Sequence, residues 1–413
     1  MARRRFHCDV YELKIGQLPP ACHRPSAASM ALRRLVRGLA SVPFPRRLHP
    51  LPIPDSPGHL RFSTSSTGET KPHFMAEYLV STCGLSPEAA AKAAPRFSHI
   101  TSTDRPDVVL AFLRSQGLGK AQVRVIVSRK PALLLSDVDA TLSPKFSALR
   151  ALGLKRAEAA RVFALFPSAL TYGIHSNLLP RVILWLDLLG STTLLMKWLA
   201  KAWLLKYTVE PLLQNLATLR GVGVPEARLT ALVRMQPTII MQVPAKLKAL
   251  VGRVEACAGV LPSSGMYTWC LFALHNIGER TFEAKKAVVT RGLGCTDDEF
   301  AAMFRRAPCF MFTSEEVLRR KVEFLRTACG VGCVLRNPVL LTFSVDKRMA
   351  PRLRAIESLQ SRGVVIRKTS LATVVRLSES MFVERYIHKY KEDVPELLEL
   401  YPESQGQTQV QTG

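Results

Sequence analysis

At 413 residues, 47% hydrophobic and 22% charged, the chain holds enough apolar surface to offset its ordering entropy, which excludes a largely disordered protein. Its 57 Lys and Arg against 32 Asp and Glu leave a net +25, a balance that favours polyanionic partners: nucleic acid, an anionic membrane surface or an acidic protein. Nine cysteines without regular spacing exclude a disulfide scaffold, and the closest pair, Cys329 and Cys333, lacks the further ligands of a tetrahedral site, so neither metal nor cofactor is expected.

Residues 1–62 read as a leader with 11 Lys and Arg against 3 Asp and Glu, which leaves +17 on the remainder. From Met30 to Pro54 five arginines (Arg33, Arg34, Arg37, Arg46, Arg47) accompany Leu32, Leu35, Val36 and Leu39 at amphipathic spacing, with no carboxylate, as in a transit peptide. The run RFSTSST from Arg61 is similar to mitochondrial processing sites and sets cleavage near Phe62. Asp9 and Glu12 fit such a segment poorly, so residues 1–29 read as an upstream extension. A mitochondrial address is expected, a plastid one is the alternative, and a basic tail without an address is the bland reading. Residues 63–73 then form a linker.

From residue 74 the chain repeats, and repeats determine the whole fold. Prolines fall at Pro95, Pro131, Pro167, Pro237, Pro308 and Pro338, at intervals of 36, 36, 70, 71 and 30 residues, with missing marks near Ala202 and Ala273. Gly117, Gly153, Gly223, Gly259 and Gly294 each lie 14 residues before such a mark. A further proline opens many units, at Pro72, Pro106, Pro144, Pro180, Pro211 and Pro351. Proline suits the first helical position, glycine the left-handed cap, and a second proline ends a second helix. The apolar faces agree: Phe146, Leu149 and Leu152 share a face of one helix, and Val162, Phe163 and Phe166 a face of the next. The post-proline residues Leu133 to Leu135, Leu170, Ile239, Ile240 and Val339 to Leu341 predict a brief third helix wedged between neighbours. Neither apolar face can be buried alone, so the units must stack. The most apolar stretch, Leu178 to Leu205, is divided by Arg181, Asp187, Lys197 and Lys201, so no transmembrane helix is predicted.

This unit, an apolar helix, G-[LV], a second helix and P-x-[LI]-[LI], resembles the repeat of the mitochondrial transcription termination factor (mTERF) family over residues 74–401. Its most specific portion is PVLLTFSVDKRMAPRLRAIESL from Pro338, followed by FVERYIHKYKEDVPELLELY from Phe382, similar to the ending of the land-plant branch. The resemblance implies an all-α, right-handed superhelical solenoid of about eight repeats, each two helices plus a short third. It also implies double-stranded DNA binding in transcription termination or regulation, or structured organellar RNA binding in group II intron splicing or rRNA maturation. A monomer with no membrane partner is expected. The acidic stretch from Glu392 to Glu403 would cap the array, and residues 402–413 read as a disordered tail.

Phosphate contacts need Lys or Arg presented repeatedly along one side. Near the start of the first helices lie Lys145, Arg181, Lys246, Lys248, Lys285, Lys286, Arg320, Lys321, Arg352 and Arg354, the primary candidates. A secondary series precedes the unit-ending marks: Arg129, Lys130, Lys201, Arg234, Arg305, Arg306 and Arg336, where the helix macrodipole also favours cations.

No catalytic constellation emerges. Gly117-Leu118-Gly119-Lys120 lacks the spacing and Ser/Thr of a phosphate loop, and Thr296 with Glu299 reads as a capping box. The histidines are isolated, and Trp185, Trp198, Trp203 and Trp269 sit at helical spacing that predicts core packing over base stacking. A non-enzymatic protein is expected, with a protein-interaction scaffold as the competing class.

Overall fold

The computed structural model describes residues 74–364 and 370–401; the leader, the 63–73 linker and the 402–413 tail lie outside the described residues. The described residues are helical without a strand, and they fall into two compact units that divide between Leu213 and Gln214.

In the first unit four helix pairs follow one another: Phe74–Ser81 with Pro87–Ala93, Asp104–Ser115 with Lys120–Arg129, Ser143–Ala151 with Arg156–Leu165, and Leu179–Leu189 with Thr192–Ala202. A fifth pair starts with Val209–Val222, in which the second unit begins, and ends with Glu226–Met235. Four more complete that unit: Pro244–Ala258 with Gly265–Asn276, Glu279–Leu293 with Asp297–Arg306, Glu315–Cys329 with Val331–Arg336, and Ala350–Ser361 with Leu371–Arg376. The described residues therefore hold nine pairs, the ninth following Pro338. We refer to them as repeats 1 to 9.

Each pair turns on a glycine of positive φ: Gly84, Gly117, Gly153, Gly190, Gly223, Gly259, Gly294, Gly330 and Gly363. At Gly294 (φ 64°, ψ 32°) the left-handed backbone ends one helix and lets the Cys295 N–H reach the Thr290 carbonyl at 3.1 Å, so a carbonyl left over at the helix end is paired. Gly330 differs, with φ 77° and ψ 159°, and it borders both Glu315–Cys329 and Val331–Arg336 without an intervening loop. That direct joint, with a second helix of only six residues, explains the 30-residue interval before Pro338.

After the second helix the chain makes the short 3₁₀ turn that the apolar wedge predicts, at Pro131–Leu135, Pro167–Thr171, Pro237–Ile239, Pro308–Phe312 and Pro338–Thr342. The two units without the terminal proline solve the problem differently. In repeat 4 Trp203 takes the left-handed conformation itself (φ 53°, ψ 43°) and Leu204–Lys206 supplies the turn. In repeat 6 the helix runs on through Ala273 to Asn276, and no 3₁₀ turn follows.

The opening prolines also sit differently from expectation. Pro144, Pro180 and Pro351 are preceded by a widened turn whose N–H groups reach back five residues, as Leu142 to Asp137 (3.2 Å), Leu178 to Gly173 (2.9 Å) and Met349 to Ser344 (3.0 Å). The pyrrolidine ring has no N–H and crowds the carbonyl one turn earlier, and the wider turn relieves both. Pro106 and Pro211 lie at the third position of their helices, and Pro72 lies outside the described residues.

The predicted faces form the core. Phe146 meets Phe163 within repeat 3 (4.6 Å between centroids) and Phe112 of repeat 2 (5.4 Å), and Phe272 of repeat 6 meets Phe312 of repeat 7 (5.3 Å). After repeat 9, Phe382, Tyr386, Ile387, Val394, Leu397 and Tyr401 close over Ile356 and Leu359. No single helix among the described residues is long and apolar enough to cross a membrane.

Candidate nucleic-acid interface

A 3₁₀ turn packed against a neighbouring helix leaves buried carbonyls that its own backbone cannot satisfy, and an unpaired buried carbonyl is costly. The structure meets this with a side chain from the first helix of the same repeat. The Lys145 ammonium donates to the Leu170 carbonyl (2.5 Å), Lys285 to Met311 (2.6 Å) and Lys321 to Leu341 (2.9 Å). The Arg181 guanidinium donates to the carbonyl of Tyr207 (2.9 Å) and lies over the Tyr172 ring. In repeat 5 an amide does the same work, with Asn215 Nδ2 donating to the Ile240 (2.8 Å) and Gln242 (2.7 Å) carbonyls. Arg352 is fully buried and donates to Val374, Val375 and Leu377, while its other nitrogen pairs with Glu379 (2.7 Å).

This corrects the first series of candidates. Lys145, Arg181, Lys285, Lys321 and Arg352 recur in phase because each repeat has the same backbone problem, and their charged ends face carbonyls where a phosphate stripe needs them in solvent. Burial pulls the Lys145 and Lys285 ammonium groups below the usual lysine range. Two more of the series are paired at the surface: Lys286 with Asp297 (2.8 Å) and Arg320 with Asp346. Lys246, Lys248 and Arg354 are exposed.

The second series is the more accessible one. Arg129, Lys201, Arg234, Arg305, Arg306 and Arg336 are exposed and Lys130 is half-buried. Lys92 and Arg376 occupy the same last-turn position in repeats 1 and 9 and were not among the sequence candidates, so seven of the nine second helices end on an exposed Lys or Arg. Some of these side chains have local partners: Arg305 donates to the Ala258 carbonyl at 3.0 Å, Lys201 lies over Trp198, and Arg129 lies over Trp203 with 5.8 Å to the ring centroid.

The aromatic residues divide. Trp185 is fully buried and donates to the Leu204 carbonyl (3.2 Å), as core packing predicts, whereas Trp203 is 53% exposed. The left-handed backbone at Trp203 turns the ring out, a change that helical spacing alone cannot reveal.

Reactive chemistry is sparse. Gly117 and Lys120 stand at an interhelical turn, and Thr296 and Glu299 cap their helix reciprocally (2.9 and 3.2 Å). Burial pushes the Cys329 thiol up to about 12, with Cys333 beside it, which keeps Cys329 a neutral thiol. Among the described residues no group of three or more His, Cys, Asp or Glu could hold a metal ion.

Fold and surface together define an all-α helical-repeat protein whose exposed charge is cationic at the helix ends. The mTERF family profile matches residues 110–261 and 271–383, and the chain belongs to the mTERF family. Membership points to a nucleic-acid-binding repeat protein. No curated protein matches the sequence.

Proposed function

We propose that this chain is an organellar nucleic-acid-binding regulator of gene expression, acting on double-stranded DNA in transcription termination or regulation. The observation that carries the reading is the exposed Lys or Arg at the end of seven of nine second helices. Cations there also complement the helix dipole, by about 0.3–1 kcal/mol each, so they stabilise the helices with or without a ligand. The +17 outside the leader supports a polyanionic partner, and the arginine-rich stretch from Met30 supports a mitochondrial address.

The test is a competition assay on the full chain with blunt duplex DNA, structured RNA and an acidic protein as rivals. Duplex DNA winning supports the first role, and structured RNA winning transfers the role to intron splicing or rRNA maturation. Displacement by neither nucleic acid contradicts the reading. Fusing residues 1–62 to a reporter and following import tests the address.

A further inference from the structure

At the helix end of repeat 2, residues of repeats 1 to 4 place a cationic recess beside an exposed indole. A recess of about 490 Å³ opens around Pro131, and Arg96, Arg129, Lys130 and Lys145 all line it, with the hydroxyls of Ser136 and Thr141. Its lining includes no Asp or Glu. Lys145 is 5% exposed and its ammonium donates to the Leu170 carbonyl, so Arg96, Arg129 and Lys130 are the cations the recess presents to an anion, with no carboxylate in the lining to offset them.

Arg129 joins this recess to Trp203, over whose ring its guanidinium lies. Trp203 is the one non-glycine residue of positive φ among the described residues, in a conformation that crowds the Cβ of an L-residue against its own backbone. The strain exposes the largest apolar side chain available, and it stands where other repeats simply place a residue before proline. A flat aromatic face held out beside a guanidinium suits a nucleobase, which stacks on both.

We infer that repeats 1 to 4 form a single-nucleotide subsite, in which Arg96, Arg129 and Lys130 take a strand phosphate in the recess and Trp203 stacks on the attached base. The inference rests on the nucleic-acid reading above and adds to it that the chain engages a nucleotide outside a base pair, in a single-stranded tail or loop.

The experiment uses the full chain with a blunt duplex, the same duplex carrying a single-stranded tail, and inorganic phosphate. Tailed duplex should bind more tightly than blunt. Trp203→Gly should weaken the tailed duplex by about tenfold and leave the blunt duplex unchanged. Its melting temperature should hold or rise, because glycine relieves the left-handed backbone, so a loss of binding cannot be a loss of fold. The double variant Arg96→Gln, Lys130→Gln should flatten the salt dependence for the tailed duplex by about 0.7 per lost phosphate contact. Equal affinity of Trp203→Gly for both duplexes relative to the parent, or an unchanged salt slope, overturns the inference while the nucleic-acid reading stands. Inorganic phosphate raising the melting temperature of the parent but not of the double variant, with tailed and blunt duplex bound alike, shows a free-anion site and also overturns it. Failure of the parent to bind either duplex overturns the inference together with the duplex-DNA reading.

Discussion

The Lys285 ammonium lies in the protein at 7% exposure, and the Met311 carbonyl is the partner that makes its burial tolerable. Lys285→Met keeps most of the side-chain volume but leaves that carbonyl unpaired. It should lower unfolding free energy by about 1–3 kcal/mol in urea titration, with nucleic-acid affinity of the folded fraction unchanged. An affinity loss at full stability would return Lys285 to the interface. His275 makes a pH-dependent case: Thr238 Oγ1, which accepts from Gln236 (2.7 Å), lies 2.9 Å from His275 Nε2, and burial pushes the imidazole down to about 4. The unfolded chain takes up this proton near the ordinary histidine value of about 6.5, whereas the folded chain resists it. The stability is therefore complete above that pH and is lost as pH falls toward 4, by up to about 3 kcal/mol. His275→Gln should show a shallower loss of stability between neutral pH and pH 4 in paired urea titrations; an identical loss would show that His275 stays uncharged in neither state or both.

At the scale of elements, most of the repeat was legible because proline and glycine act through the backbone. Gly294 has open space around its missing Cβ, so Gly294→Ala isolates the left-handed backbone and should cost about 1–2 kcal/mol in thermal unfolding. The terminal mark absent at Ala273 gave no hint that the helix continues to Asn276, with the Ile277 N–H on the Ala273 carbonyl at 3.1 Å. Restoring the repeat's mark there with Ala273→Pro should therefore destabilise by about 3 kcal/mol, where a repeat ending at that position would tolerate it. The widened turns before Pro144, Pro180 and Pro351 were invisible for a related reason, since an i to i−5 turn has no residue signature of its own. Lys145, Lys285 and Lys321 stand at a spacing that predicts phosphate contacts and meet carbonyls instead, because a periodic cation matches a periodic carbonyl as well as a periodic phosphate. Asn215, in the same structural role, carried no charge to draw notice.

For the whole molecule, the question is which cations face a polyanion. The buried series holds repeats closed, whereas the helix ends, Arg129, Lys201, Arg234, Arg306, Arg336 and Arg376 among them, are exposed, as are Lys246, Lys248 and Arg354, and the proposed interface rests on the helix ends. The most direct measurement is the salt dependence of duplex DNA affinity for the full chain and for a variant with Arg234, Arg336 and Arg376 changed to Gln. The parent should lose affinity steeply with salt, and the variant's slope should be shallower by about 0.9 for each phosphate contact removed. An affinity flat in salt for the parent, or the same slope in both proteins, would contradict the assignment of the helix ends as the nucleic-acid interface.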